Sequence, residues 1–142
     1  MGGRWDRNPG REYNFCAYRV NREAAAYICR RSPVPLTFLG YEVGKNVVTG
    51  GKAVKGLTGI AYAAHRSPGG RPSWDPMTAV YAVTGDADGA GYKKIRGRAE
   101  VDPKTGKNRF EACGDGRHAY LVKVKEDAFY KSRIETLLAR EP

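Results

Sequence analysis

Apolar and polar positions along the chain follow two periods, and the changes between them mark the expected elements. From Asn21 to Arg31 the order Asn-Arg-Glu-Ala-Ala-Ala-Tyr-Ile-Cys-Arg-Arg predicts a short helix, with a side-chain acceptor at its start, Glu23 in the first turn and Arg30 and Arg31 in the last. Pro33 and Pro35 stop it. Leu36-Thr-Phe-Leu39, an apolar run of strand formers ending at Gly40, predicts a buried strand, so the two elements form one α/β unit. Residues 46–65 carry a weak helical pattern interrupted by Gly50-Gly51, Gly56 and Gly59, and Ser67-Pro-Gly-Gly-Arg-Pro72 predicts a loop. Asp75-Pro76 opens a further helix with Met77, Val80 and Tyr81 at helical spacing, ended by Gly85. Tyr92 to Cys113 reads as a hairpin that turns through Asp102-Pro-Lys-Thr-Gly106, and Ala119 to Val124 as one more strand. Residues 127–139 predict an amphipathic closing helix capped by Asp127, with Tyr130, Ile134, Leu137 and Leu138 on one face.

The expected fold class is therefore α/β, with a β-hairpin and a C-terminal helix, in a single domain over residues 1–142, a length that suffices for one core. Hydrophobic residues at 41% and charged residues at 28% exclude a disordered or fibrous chain. Apolar runs such as Ile60 to Ala64 are far shorter than the roughly 18–20 residues a bilayer span requires, so no membrane partner is expected. Met-Gly-Gly-Arg-Trp-Asp is no secretory signal, and a cytoplasmic location is expected. Cys16, Cys29 and Cys113 match no zinc or Cys-x-x-Cys spacing and read as small core residues. The net charge of +10 divides as +4 over residues 1–33, +1 over 34–90 and +5 over 91–142, a diffuse excess that weighs against a dedicated nucleic-acid site.

His65 and His118 have no second metal ligand at suitable spacing. Asp86-Ala-Asp88-Gly-Ala-Gly91 begins like a calcium loop, but Gly97 stands where the bidentate glutamate is needed, and the match fails. Gly114-Asp-Gly-Arg-His is a turn rather than a dinucleotide fingerprint. Two segments remain. Glu12 and Asn14 are two residues apart, which in an extended segment puts carboxylate and amide on one side, suited to gripping neighbouring hydroxyls. Asp75 places a carboxylate at a helix start, where it serves equally as a cap before Pro76.

Met1-Gly-Gly3, Arg11-Glu-Tyr-Asn-Phe15, Asn21-Arg-Glu-Ala-Ala25, Pro35-Leu-Thr-Phe-Leu-Gly-Tyr-Glu-Val-Gly44 and Arg71-Pro-Ser-Trp-Asp75 together resemble, in the same order, the carboxyl-terminal half of the inosine-uridine-preferring nucleoside hydrolase family. Gly116-Arg-His-Ala-Tyr-Leu121 and the closing helix also fit, so the likeness covers nearly the whole chain. It implies a partial nucleoside-hydrolase-like, Rossmann-like fold and cleavage of the N-ribosidic bond of ribonucleosides, with calcium holding the ribose hydroxyls and a water. Glu12 and Asn14 then match the family's ribose-gripping pair, Asn8 a further ribose contact, and Asp75 the late calcium-ligating aspartate. The family's aspartate-rich motif and its catalytic base have no counterpart here, and Trp74 stands where several members carry a histidine that protonates the leaving base. Completion by a second chain or by self-association is accordingly expected, with calcium bound weakly or not at all by this chain alone. The competing readings are a small basic nucleic-acid module stacking bases on Tyr92, Phe110 and Tyr120, and a non-catalytic remnant subunit.

Overall fold

The computed structural model describes residues 1–139. In chain order its elements are α1 (Tyr13–Cys16), α2 (Arg19–Arg31), β1 (Leu36–Phe38), α3 (Tyr41–Gly44), β2 (Val48–Thr49), a 3-10 turn (Gly51–Ala53), α4 (Gly56–Ala64), β3 (Arg71–Pro72), α5 (Trp74–Thr84), β4 (Tyr92–Val101), β5 (Asn108–Ala112), β6 (His118–Lys123) and α6 (Asp127–Leu138). The class is mixed α/β. Two compact units divide the chain: Met1–Glu42 with Lys93–Val122, and Val43–Tyr92 with the segment from Lys123 onward.

The first unit is built on a four-stranded sheet in the order β1-β6-β4-β5. β1 runs parallel to β6 with Leu36 opposite His118 and Phe38 opposite Tyr120, whereas β4 and β5 form the antiparallel hairpin, from Gly97 opposite Ala112 to Val101 opposite Asn108. Its turn is held by Asp102, whose carboxylate accepts from the Lys104 and Thr105 amides (2.8 and 3.4 Å) and from the Thr105 hydroxyl (2.8 Å). These bonds, the Lys104 amide first, hold the Asp102 pKa below the ordinary carboxylate value.

The core of this unit centres on Trp5. Its ring meets Phe38 at 4.9 Å, Phe110 at 5.8 Å, Tyr120 at 6.2 Å and Phe15 at 6.3 Å between centroids, and its indole N–H donates to Gly2 O (3.1 Å). Ala26 and Cys29 of α2 and Ala99 and Val101 of β4 complete the cluster. Helix α2 starts two residues before the expected position and has no side-chain cap; the Asn21 amide instead donates to Asn14 O (3.1 Å), tying the first turn of α2 to α1. Burying an aromatic ring against four others makes Trp5→Ala costly, by about 3–5 kcal/mol, which urea unfolding measures as a lowered midpoint.

At the start of β6, His118 Nδ1 accepts the Ala99 backbone N–H (2.8 Å), so its neutral ring carries the proton on Nε2. Burial, and after it the charge of Arg117, hold the His118 pKa below the ordinary imidazole value. A depressed folded-state pKa means that the unfolded chain binds the extra proton more readily, so this contribution is whole above about pH 6.5 and is lost as the pH falls below it. The melting temperature of the wild type should therefore drop between about pH 7.5 and 5.5. His118→Gln should remove that increment, and an unchanged pH profile in the variant would disprove the assignment.

In the second unit the weak helical pattern over residues 46–65 resolves into β2, a 3-10 turn and α4. Gly50 and Gly51 stand at φ 85° and 68°, outside the right-handed helical region, and break the pattern, with α4 running from Gly56 to Ala64. β2 pairs with β3 inside the expected loop, Val48 opposite Pro72 and Thr49 opposite Arg71. The buried hydroxyls of Thr49 and Ser73 bond each other at 2.6 Å, and the Ser73 amide donates to Val47 O (2.9 Å). Helix α5 begins at Trp74, so Pro76 lies in the first turn where its missing N–H costs nothing, and Gly85 ends it at φ 69°. Tyr130 and Ile134 of α6 are buried, with Tyr130 stacked on Tyr92 at 5.2 Å and its hydroxyl donating to Gly91 O. Asp127 does not cap α6; Glu126 is the cap residue, and the Asp127 carboxylate pairs with Lys123. Among the described residues no helix is long and apolar enough to cross a membrane.

Candidate functional site

The best-organised polar cluster surrounds Gly3, Arg4 and Trp5 in the first unit. Glu12 is nearly buried, at 7% exposure, and its two oxygens take separate backbone donors: Oε1 accepts from Asn14 N (2.8 Å) and Oε2 from Gly3 N (3.1 Å). Glu42, in the first turn of α3, accepts the Trp5 N–H through Oε2 (3.2 Å). Between them the fully buried Asn108 brackets Arg4, accepting its N–H (3.1 Å) and donating to its carbonyl (2.7 Å). Burial raises the Glu42 pKa above the ordinary carboxylate value, against the lowering by backbone donors that include Trp5 N–H. Neither Glu42 nor Asn108 was singled out by the sequence, because nothing near either residue signals the loop it binds.

Glu12 and Asn14 do not share a side of an extended segment. Glu12 is extended (φ −146°, ψ 150°) and serves as the cap of α1, while Asn14 already lies in the first turn of that helix, since the Glu12 carboxylate folds back onto the Asn14 amide. The Asn14 carboxamide is exposed, with Nδ2 3.6 Å from Met1 Sδ, so Met1 joins this pair as a neighbour that spacing alone did not indicate. Each Glu12 oxygen retains a lone pair beyond its backbone bond, and the Asn14 amide offers a donor and an acceptor, a combination that suits adjacent hydroxyls.

Asn8 is placed elsewhere. It is exposed and lines a cavity of about 150 Å3 with Arg98, Glu100, Arg109, Phe110 and Glu111, none of which belongs to the Glu12 cluster. Asp75 is exposed in the first turn of α5, in the second unit, where a carboxylate complements the helix dipole. Ser73 occupies the cap position that the sequence reading gave to Asp75. Among the described residues no group of three or more His, Cys, Asp or Glu side chains could hold a metal ion. One aspartate falls short of the six to eight oxygens calcium requires, so these residues do not by themselves fit that ion. His65 Nε2 contacts the Arg71 guanidinium, and His118 is engaged with Ala99.

Comparison of the chain with family models, with curated proteins and with solved structures finds no match. The likeness to nucleoside hydrolases therefore rests on the sequence motifs.

Glu12 and Asn14 separate by mutation. Glu12→Ala leaves two backbone N–H groups without their charged acceptor and should cost about 2 kcal/mol in urea unfolding. Asn14→Ala, at an exposed carboxamide, should shift stability by less than about 0.5 kcal/mol. Equal losses in the two variants would contradict the arrangement described.

Proposed function

We propose that this chain is the ribose-gripping half of a nucleoside-hydrolase-like protein, which cleaves the N-ribosidic bond of ribonucleosides once a second, aspartate-rich half is supplied. The observation that carries the reading is the Glu12 carboxylate, fixed by two backbone donors yet keeping free lone pairs, one helical step from the exposed Asn14 amide and Met1. Glu12 would accept a ribose hydroxyl proton and Asn14 would orient the neighbouring hydroxyl. In hydrolysis the C1′–N bond breaks, water supplies the new C1′–O bond, and one of its protons ends on the released base. Calcium, if it takes part, needs ligands beyond Asp75, and the water-activating base belongs to the complementing half.

The outer edge of β1 supports completion by further chain. Among the described residues no strand lies along it, although Leu39 O accepts from Gly2 N (3.1 Å) and Tyr41 N donates to Gly3 O (2.9 Å) just beyond its end. Parallel strands are ordinarily covered on both sides, and an open edge invites pairing.

The nucleic-acid alternative has less ring surface to offer than its three aromatics suggest. Tyr92 is 1% exposed beneath Tyr130, and Phe110 and Tyr120 pack against Trp5. Phe110 and Tyr120 are half-buried.

The test is to combine the chain with an aspartate-rich complementing polypeptide, then measure base release from inosine and uridine and calcium-dependent ribose binding. Both should appear. Asn14→Ala should weaken ribose binding by about tenfold, the worth of one good hydrogen bond, without changing the unfolding midpoint. Absence of both cleavage and ribose binding in the combined preparation defeats the proposal.

A further inference from the structure

Helix α4, in the second unit, buries none of its described side chains. Leu57 is 86% exposed and Ile60 65%, and with the exposed Ala61 and Ala64 they fall at i, i+3, i+4 and i+7, one continuous apolar face. The opposite side anchors the helix. A side chain at Gly50 would meet the Tyr62 ring at 2.1 Å, and one at Gly59 would meet Val54 O at 2.3 Å, so Tyr62 and Gly59 are the positions in close contact with the fold.

The segment that carries this helix has charge of one sign. From Val43 to Ser73 the sequence contains no aspartate or glutamate, whereas Lys45, Lys52, Lys55, Arg66 and Arg71 are all exposed cations. Lys52 and Lys55 precede α4, with Lys55 as its cap residue, and Arg66 follows its other end. Arg66 has φ 54°, a left-handed conformation more often given to glycine or asparagine after a helix, and here the position keeps a cation.

We infer that α4 is a docking face for an anionic lipid surface, on which Leu57 and Ile60 insert between headgroups while Lys52, Lys55 and Arg66 pair with the lipid phosphates. An apolar stripe set among cations is the complement of a negatively charged bilayer surface. The face is one short helix wide with two large side chains, whereas a stable protein interface takes about 20–30 residues from each side. Lipid contact of this kind lies along the surface and requires no membrane-spanning segment. It is also independent of the ribose-gripping reading, since Glu12 and Asn14 take no part.

The experiment is flotation of the full chain with vesicles of phosphatidylglycerol and phosphatidylcholine, against vesicles of phosphatidylcholine alone. The chain should float only with the anionic vesicles. Leu57→Gln with Ile60→Gln should abolish flotation, and Lys52→Gln, Lys55→Gln and Arg66→Gln together should weaken it by about a hundredfold. All five positions are exposed, and unchanged unfolding midpoints would show that the variants are folded. No flotation overturns the inference, as does flotation that survives the Leu57 and Ile60 changes, because net charge alone would then explain it. A vesicle-free dimer lost on changing Leu57 and Ile60 would assign the face to a second copy, and single-stranded RNA binding with the same Leu57 dependence would assign it to RNA; either result overturns the inference.

Discussion

Trp5 can occupy the centre of the first unit only because the backbone on either side of it finds hydrogen-bond partners inside the protein. Glu12 takes the Gly3 amide, Glu42 takes the Trp5 amide and Asn108 takes the backbone N–H and carbonyl of Arg4. Without them this buried stretch would carry unpaired N–H groups, each costing about as much as a lost hydrogen bond. With the backbone satisfied, the indole packs among Phe15, Phe38, Phe110 and Tyr120, and so joins α1, β1, β5 and β6 through one side chain.

The same arrangement sets what the candidate site can do. Glu12 is held in place, since both of its oxygens are engaged, and a carboxylate fixed in this way would lose little entropy on accepting a further donor. Asn14 is free of that duty and faces solvent beside Met1. The backbone duty therefore falls on the cap of this short helix and leaves the Asn14 carboxamide in its first turn unburdened. The second unit holds together differently, through the Tyr81–Tyr92–Tyr130 ring contacts and the buried Thr49–Ser73 hydroxyl pair, and it leaves α4 with its apolar face outward.

Much of the local structure was legible in the sequence. The hairpin, its Asp102 turn, the strand beginning near Ala119, the helix read from Asp75-Pro76 and the closing helix all appear, because each rests on periodicity and on turn or stop residues within a few positions. The differences lie where a side chain takes a partner other than the one its position suggests. Asn21 looked like a cap and instead reaches Asn14 O, while Asp127 looked like a cap and pairs with Lys123. Spacing gave Glu12 and Asn14 a common extended side, yet the carboxylate draws the chain into a helical turn. Asn8, which the resemblance offers as a further ribose contact, lines a cavity with the hairpin.

By itself the sequence determined the helices α2, α5 and α6, the strands β1 and β6, the β4–β5 hairpin and a net charge of +10, because those properties depend on neighbouring residues and on counts. The tertiary structure alone decided that Glu42 and Asn108 hold the Gly3–Trp5 loop, that Tyr92, Phe110 and Tyr120 are spent on packing, and that Leu57 and Ile60 are not. Those outcomes turn on partners tens of residues away. A buried amide is satisfied or a ring covered only by what the fold brings beside it, and no local pattern encodes that neighbour.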